Sequence, residues 1–294
     1  MYSAPLPTTA AGSPDLQAAG GGIGAWAHSL VFTCDANGEE ELLDAHGTQV
    51  MMPWERPYMV RCVDALEIDS SSAVLEVGFG CGYSAERIQR YHPRVHCIIE
   101  CADVVLERLR PWAAVRPGVE VHAGTWQRVL PSLGVFDRIF FDDFGAPGLA
   151  EAEMQQCGNE AYRLRYMAAR SHMHAFLDIV LEWHARPGTR VSGYLSGTPV
   201  SLERSDTRYV CQRMPVRPPA HCHYFDDTVA TVPLWIKESS APAAKDDTAA
   251  IEPLPIRESS VSGTEESPGK HPLDSPETKD AQTKRKRHDS TTSK

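Results

Sequence analysis

The sequence predicts an α/β fold in which a doubly wound, mostly parallel β-sheet is closed by an antiparallel pair of strands. Between residues 73 and 195, short apolar runs alternate with amphipathic stretches. This is the pattern of parallel strands that helices cover on both faces. The last two apolar runs, at residues 209–216 and 231–237, have no helical pattern between them. They therefore predict the two strands of the closing pair.

The same patterns give the individual elements. The five parallel strands are predicted at residues 73–78, 95–100, 119–123, 138–142 and 189–195. The helices that accompany them are predicted at residues 84–91, 104–114, 127–133 and 161–185. Upstream of the sheet, residues 39–46 and 54–68 predict two further helices. Pro57 is compatible with the second of these because it lies in the first turn.

Composition divides the 294 residues into one folded domain and two tails. Residues 1–24 are rich in Ala, Gly, Pro, Ser and Thr, and residues 238–294 contain no aromatic side chain. Neither segment can bury enough apolar surface to offset its ordering entropy. We therefore expect both tails to be disordered and residues 25–237 to form the domain. The basic run Lys284–Arg287 is either a nuclear import signal or the solvated end of an acidic tail.

The net charge and the spacing of the cysteines argue against several classes of protein. The net charge of −10 argues against general nucleic-acid binding and suits a cationic partner. The eight cysteines have irregular spacings and form no C-x-x-C pair, so they predict reduced thiols and neither a disulfide framework nor a zinc site. No secretory leader pattern and no apolar run of about 18 residues occurs. We expect a soluble cytoplasmic protein, or a nuclear one if the basic run acts as a signal, without a membrane partner. The oligomeric state is left open.

The most informative local feature is the run from Val74 to Tyr83, which reads VLEVGFGCGY. It predicts a buried strand, a glycine turn and the start of a helix, where backbone N–H groups and the helix dipole meet a ligand. A dinucleotide motif, G-x-G-x-x-G, needs a small residue at the position of Tyr83. The acidic-x-G-x-G-x-G motif of class I S-adenosylmethionine (SAM)-dependent methyltransferases fits instead, with Glu76, Gly78, Gly80 and Gly82.

A carboxylate ends the next predicted strand. Glu100 follows the apolar residues Ile98 and Ile99 and lies 18 positions after Gly82 (100 − 82). In Rossmann-like folds an acidic residue about 20 positions beyond the glycine turn binds the ribose hydroxyls. The alternative is a solvated carboxylate at the end of a strand. The distance from the glycines favours the ribose role.

Other candidate residues follow later strands. Gly124–Trp126 ends one strand and Asp142 ends another, and ligands bind at the edge where parallel strands end. Asp142 and Asp143 could form a metal pair, but the sequence places no third carboxylate or Asn with them, so no metal is predicted. His221 and His223 likewise lack further ligands and are interpreted as structural.

Longer runs of the sequence resemble the guanidinoacetate N-methyltransferase family, whose core the fungal-type arginine N-methyltransferases share. The resemblance covers about residues 45–237 and implies the Rossmann-like fold of a class I methyltransferase. Its most specific part is W-E-x-P-Y-M followed by L-E-V-G-F-G. The similar runs are Met51–Met59, Leu75–Gly80, Ile98–Asp103, Leu106–Trp112, Gly124–Trp126, Pro218–Tyr224 and Val232–Leu234.

The resemblance also implies the roles of the site residues. Those implied beside SAM are Met59, Glu76, Gly78, Gly80, Gly82, Glu100, Thr125, Trp126 and Asp142. Those implied around the methyl acceptor are Trp54, Glu55, Tyr58, Asp142, Leu195 and Ser196. The local pattern of Glu55 would otherwise indicate a carboxylate at a helix N-terminus. The aromatic residues Trp54, Tyr58 and Trp126 have buried packing as their alternative.

A guanidino acceptor makes a definite chemical demand. It is a planar fork of donors, it is charged at pH 7, and it is hardly nucleophilic while protonated. Two carboxylates can bind such a group and aim one nitrogen at the sulfonium methyl, and one of them must accept a proton. The resemblance implies that Glu55 and Asp142 are these carboxylates and that Asp142 accepts the proton.

Three functions are compatible with these residues. The first is SAM-dependent methylation of guanidinoacetate to creatine, and the alternative is methylation of arginine in a protein. The third is a SAM-binding regulatory protein that has lost catalysis. The chain departs from the family pattern directly after Asp142 and after Leu195, where the family holds its acceptor. The acceptor, a small guanidino molecule or an arginine-containing protein, is therefore the open question.

Overall fold

The computed structural model describes residues 29–35, 37–144, 149–195, 202 and 204–239. The described part begins with a three-stranded antiparallel sheet in the order β1-β2-β3. Its strands are β1 (Val31–Cys34), β2 (Glu40–Leu43) and β3 (Gln49–Met51). The segment 1–24 and all but the first two residues of the tail 238–294, both predicted to be disordered, lie outside the described residues.

This small sheet corrects the helix predicted at residues 39–46. The carboxylate of Asp35 accepts hydrogen bonds from the backbone N–H groups of Asn37 and Glu39. The carboxylate of Asp44 does the same for His46 and Thr48. These two turns reverse the chain on either side of β2, and Asx turns of this kind compete with helix formation. The turns therefore override the helix preference of the Glu/Leu run.

The second predicted helix is present but shorter. A single turn of 3₁₀ helix at Pro53–Glu55 leads into helix α1 (Arg56–Asp64). Pro57 lies in the first turn of α1, where it removes no intrahelical hydrogen bond. The helix ends at Asp64, ahead of the predicted end at residue 68, and Glu67 adopts a positive φ of 53°.

The main sheet confirms the predicted α/β class. Its seven strands lie in the order β6-β5-β4-β7-β8-β10-β9, and β10 runs in the direction opposite to the other six. The strands are β4 (Ala73–Val77), β5 (Val95–Glu100), β6 (Val119–Ala123), β7 (Phe136–Phe141), β8 (Ala185–Gly193), β9 (Thr207–Pro215) and β10 (Val229–Lys237). This is a Rossmann-like sheet with an antiparallel closing strand, the architecture of class I SAM-dependent methyltransferases.

Helices cover both faces of this sheet. They are α2 (Tyr83–Gln89), α3 (Asp103–Ala114), α4 (Trp126–Val129), α5 (Leu149–Gln155), α6 (Glu160–Ala168) and α7 (His172–Trp183), with a 3₁₀ turn at Leu130–Ser132. The long helix predicted at residues 161–185 is thus two helices. Ala169 is extended, and the Ser171 side chain caps α7 by accepting a hydrogen bond from the His174 N–H. None of the helices in the described ranges is long and apolar enough to cross a membrane.

Alternate residues of the central strands enter two cores. Val74 and Phe140 pack into the core that contains α1 and α3. Leu75, Ile139 and Phe141 pack into the core on the opposite face, which contains α7. Each of these five side chains is at most 3% exposed. Burial on both faces explains why the central strands read as continuous apolar runs.

The site is positioned by the point where the chain changes direction across the sheet. From β4 the chain continues outward to β5 and β6, and it then returns to the other side of β4 as β7. Ligands of open α/β sheets bind at such a switch point, beyond the carboxyl ends of the strands. Here those ends lead into Gly78 and Asp142.

Tyr58 provides a test of how α1 is attached to the sheet. Its hydroxyl donates to the Thr231 carbonyl (2.7 Å) and accepts from the Leu195 N–H (3.1 Å). We expect Tyr58→Phe to lower the free energy of unfolding by about 1–3 kcal/mol. The variant leaves the Thr231 carbonyl and the Leu195 N–H without the hydrogen bonds that the Tyr58 hydroxyl makes to them. Urea unfolding measures this change.

Tyr209→Phe is the matched control, since the Tyr209 hydroxyl is buried without a hydrogen-bond partner. Its removal should leave the free energy of unfolding unchanged or slightly raised. Equal losses in the two variants would contradict the assigned role of the Tyr58 hydroxyl.

Candidate functional site

The glycine turn after β4 is held against the ends of two neighbouring strands. The Gly78 N–H donates to the Ile99 carbonyl and the Asp142 N–H donates to the Val77 carbonyl, both at 2.9 Å. Gly78 has a φ of 84°, and a Cβ there would lie 2.0 Å from the backbone oxygen of Asp142. No other residue can occupy this position without moving the strand ends apart.

Glu100 is bound to the same turn and is only 7% exposed. Its carboxylate accepts hydrogen bonds from the backbone N–H groups of Phe79 (2.9 Å), Cys101 (2.7 Å) and Ala102 (2.8 Å). Burial raises the pKa of this carboxyl, although the backbone donors oppose that rise. Glu100 is therefore a fixed acceptor at the end of β5 and not a solvated strand-end carboxylate.

A cleft of about 770 Å³, which includes volume open to solvent, lies in front of these residues. The three-stranded sheet covers one side with Leu42, Val50 and Met51. The sequence-predicted residues that line the cleft are Gly78, Gly80, Glu100, Thr125, Trp126 and Asp142. Six of the nine positions expected beside a cofactor are thus brought to one place.

The other three positions lie elsewhere. Glu76 is fully buried, and its carboxylate pairs with the His96 Nε2 at 2.8 Å. Met59 is fully buried in a core, and Gly82 begins helix α2. Met51 reaches the cleft in place of Met59, and its Sδ accepts a hydrogen bond from the Cys81 N–H (3.2 Å). The run Met51–Met59 contains both methionines, but only the tertiary structure distinguishes them.

Trp126 forms one wall of the cleft and is 2% exposed. Its ring packs edge-on against Phe141 and Phe176, and its Nε1 donates to Asp143 at 2.9 Å. Trp126 is therefore both a buried core residue and a residue that lines the cleft. The Asp143 carboxylate is thus engaged by Trp126, and no group of three possible metal ligands among the described residues includes Asp142 or Asp143.

Glu55 is the second carboxylate of the site and is 2% exposed. It accepts a hydrogen bond from the Met52 N–H (2.8 Å) and another from the Tyr224 hydroxyl. Burial raises the pKa of Glu55 to about 7, against the lowering effect of these two bonds. Trp54 packs beside it, with ring centroids 5.1 Å from Phe225 and 6.3 Å from Tyr224.

Asp142 lines the cleft. Burial, followed by the charges of Glu55 and Asp143, raises the pKa of the Asp142 carboxyl well above its usual value. Glu55 thus lies near enough for its charge to disfavour the ionisation of Asp142. A cation bound near both carboxyl groups would favour their ionised forms.

Aromatic side chains surround these carboxyl groups. Tyr194 packs edge-on against Tyr58 (5.6 Å between ring centroids) and Tyr224 (6.5 Å). Burial raises the pKa of Tyr194, and the nearby charges of Glu55 and Asp142 raise it further. The Tyr194 hydroxyl is buried without a hydrogen-bond partner.

Sequence reasoning did not single out Tyr194 or Tyr224 for the site. Tyr224 lies in the family-like run Pro218–Tyr224, which was the available signal. Tyr194 directly follows β8, where the sequence carries no marked motif. Leu195 is buried and donates its N–H to Tyr58. Ser196, also predicted at the acceptor, lies outside the described residues.

Comparison with known proteins finds a methyltransferase family. A family model described as guanidinoacetate N-methyltransferase matches residues 25–164. This part of the chain is similar to that family. The match includes Glu55, the glycine turn, Glu100 and Asp142, so it covers both groups of site residues.

Curated relatives carry a related name. The protein arginine N-methyltransferase 2 of Aspergillus oryzae is 41% identical over 110 residues, which are 36% of this chain and 27% of that protein. The protein of the same name from Aspergillus fumigatus is 37% identical over 121 residues, 40% of this chain and 27% of that protein. This chain thus spans about a quarter of the length of these relatives.

Solved methyltransferase structures resemble the chain only distantly. The N-methyltransferase NodS from Bradyrhizobium japonicum aligns with a TM-score of 0.42 and 12% identity, covering 64% of this chain and 98% of that chain. The order of the strands, and not this likeness, establishes the fold.

The family implies SAM as cofactor, and the described residues fit it. Gly78 and Gly80 line the cleft with backbone alone, and Glu100 lies at the end of β5, where ribose hydroxyls are bound in this fold. The Thr125 hydroxyl lines the cleft and is buried without a partner. Apolar side chains of Ile99 and Val105 offer a surface for a base.

The glycine turn gives a direct test of cofactor binding. We expect Gly78→Ala to weaken SAM binding at least about tenfold, because the new methyl group must displace the Asp142 carbonyl and open the cleft edge. Isothermal titration calorimetry with SAM measures the change.

Gly38→Ala is the matched control. Gly38 has a similar φ of 78°, but nothing lies within 4 Å of its Cβ position. The control carries the same backbone strain without the clash, and it should keep the affinity for SAM. Unchanged affinity in Gly78→Ala would show that the cofactor binds elsewhere.

Proposed function

We propose that this chain transfers a methyl group from SAM to a guanidino nitrogen of an arginine side chain in a protein. The observation that supports this most is the pair of carboxyl groups beside the glycine-lined cleft, the buried Glu55 and the partly buried Asp142. The relatives named protein arginine N-methyltransferase 2 support arginine over guanidinoacetate as the acceptor.

The electrostatics of the pair favour a cationic acceptor. Burial raises the pKa of both carboxyl groups, and the charge of Glu55 raises the pKa of Asp142 further. A guanidinium between them supplies positive charge and hydrogen-bond donors to both carboxylates at once. Binding of the acceptor therefore restores the ionised state that the empty site disfavours.

The aromatic residues suit the shape of a guanidinium. Trp54, Tyr194 and Tyr224 form flat walls, and a guanidinium stacks on aromatic faces. It carries donors only, so the unpartnered hydroxyl oxygen of Tyr194 can accept one of its hydrogen bonds. Desolvation by these rings strengthens the attraction of the carboxylates for the cation.

The two carboxylates have different tasks in this proposal. SAM, when bound, supplies the electrophilic methyl group. Glu55 is fixed by the Met52 N–H and the Tyr224 hydroxyl, so it holds and orients the guanidinium. Asp142 lies at the edge of the cofactor cleft and burial raises its pKa, so it accepts the proton that the reacting nitrogen loses.

Guanidinoacetate is the second candidate, because the family model bears its name. Its carboxylate would need hydrogen-bond donors of its own beside the two carboxyl groups, whereas an arginine side chain brings no carboxylate into the site.

A methyl-transfer screen tests the proposal. The full chain is incubated with SAM and with arginine-containing proteins, free arginine or guanidinoacetate, and product masses are measured. Methylation of a protein arginine is the expected result. Creatine as the principal product would establish the second candidate, and SAM binding without any product would favour the inactive regulatory protein.

Variants of the two carboxylates should fail in different ways with the acceptor that the screen identifies. We expect Asp142→Asn to lower kcat by about 10²-fold or more, because it removes the proton acceptor. Glu55→Gln should mainly raise KM for the acceptor, because it weakens the grip on the guanidinium. Steady-state kinetics separate the two effects, and near-normal turnover of Asp142→Asn would exclude it as the base.

The raised pKa of Glu55 predicts a pH dependence of acceptor binding. Below about pH 7 the Glu55 carboxyl is protonated and does not attract a cation, so KM for the acceptor should fall as the pH rises through 7. Tyr224→Phe removes a hydrogen bond that lowers this pKa, so the midpoint should move to higher pH. KM measured across this range checks both statements.

Tyr91→Phe serves as the control, because the Tyr91 hydroxyl also donates to a carboxylate, that of Asp64, but away from the cleft. Its KM profile should match that of the unaltered chain. A flat profile in the unaltered chain would contradict a role for the ionisation of Glu55.

A further inference from the structure

Three side chains with metal-binding atoms meet at one edge of the main sheet. They are Cys97 on β5 and Glu120 and His122 on β6. One ligand atom of each lies within 4.8 Å of the others, and this is the only such group of three or more within the described part of the chain. None of these residues lines the SAM cleft.

The pairing of the two strands produces this group. Cys97 lies opposite Glu120 in the register of β5 and β6, and Ile99 lies opposite His122. Glu120 and His122 are two residues apart, so their side chains project from one face of β6. Cys97 and Ile99, which lie opposite them on β5, project from the same face of the sheet. Because 23 and 25 positions separate Cys97 from the other two, no short sequence motif reveals the group.

His122 provides a second, independent observation. Its Nε2 is buried without a hydrogen-bond partner. The nearest carboxylate oxygen, Oε2 of Glu120, is 3.8 Å away, which is too long for a hydrogen bond. The ligand atoms of a tetrahedral zinc ion are about 3.3–3.7 Å apart, given bonds of about 2.0–2.3 Å. The separation therefore suits two groups that share an ion.

We propose that Cys97, Glu120 and His122 bind a zinc ion at the β5–β6 edge. A thiolate, an imidazole and a carboxylate are all ligands that zinc accepts, whereas magnesium and calcium prefer oxygen ligands only. The Glu120 side chain is 60% exposed, so it can turn toward the ion, and water can supply the fourth ligand from the open side. Binding releases the thiol proton of Cys97 to solvent.

The site has a structural consequence for the cleft. His122 is two residues before Gly124, and Gly124–Trp126 forms part of the cleft wall. β6 is an edge strand, with β5 as its one neighbour. An ion shared by β5 and β6 fixes this edge strand and so supports the wall. The inference does not depend on the proposed methyl transfer.

Zinc binding by the full chain tests the proposal. The purified, reduced protein is treated with chelator, loaded with zinc and desalted, and its zinc content is measured by mass spectrometry. We expect one zinc per chain and a melting temperature that rises with zinc concentration. Cobalt in place of zinc should give the charge-transfer absorption of a thiolate ligand. An unaltered chain that retains no zinc would overturn the proposal.

Variants assign the ion to these residues. His122→Gln and Cys97→Ser should each weaken zinc affinity at least about tenfold, since loss of even an outer partner of a ligand costs that much. Cys97 is buried, and Cys97→Ser could prevent folding. In that case His122→Gln and Glu120→Gln still test the site, because the Glu120 side chain is exposed. The control Cys211→Ser, at an exposed thiol, should bind zinc normally. Equal affinity in all variants, or cobalt without a thiolate band, would place the ion elsewhere.

Discussion

The close approach of the glycine turn to the end of β7 is the constraint on which the site depends. The Cβ position of Gly78 lies 2.0 Å from the backbone oxygen of Asp142, so only glycine allows the two segments to meet. This contact places Asp142 at the edge of the cofactor cleft. On the other side, Glu100 binds three backbone N–H groups of the turn and of the segment after β5. One turn thereby aligns the cofactor side and the acceptor side.

Burial of several carboxyl groups in one place has an energetic cost. The Glu55 carboxyl ionises near pH 4.5 in an ordinary setting and near pH 7 in the folded chain. Between these values the folded state binds more protons than the unfolded state, so Glu55 makes folding less favourable as the pH rises. Asp142 acts in the same direction. The cationic acceptor that we propose would favour the ionised carboxylates, and this would link the cost in stability to a gain in binding.

The small N-terminal sheet completes the site. Its strands supply Leu42, Val50 and Met51 to the cleft, and the 3₁₀ turn that follows carries Trp54 and Glu55. The Arg108 guanidinium on α3 lies over the Phe32 ring and pairs with Glu40, so the sheet is attached to the helix after β5. The cofactor cleft and the acceptor carboxylate therefore share one covering element.

The sequence by itself determined the fold class and the residues of the central motif. Continuous apolar strands, the glycine turn and Glu100 can be recognised from short stretches of sequence or from their spacing along the chain. Strands buried on both faces of the sheet are apolar throughout, so their sequence reveals them. The carboxylates Glu55 and Asp142 were available from a family resemblance. The sequence patterns did not predict the break between α6 and α7 or the three-stranded sheet. Single capping and turn residues such as Ser171, Asp35 and Asp44 decide these features.

Tertiary structure decided every feature that depends on residues far apart in the chain. It brought Met51 and not Met59 to the cleft, and it turned Glu76 toward His96. It also placed Tyr194 and Tyr224 around the two carboxyl groups and Cys97 beside His122. Spacing along the chain cannot show these neighbours, because strand order and the rotation of each helix determine which side chains share a surface.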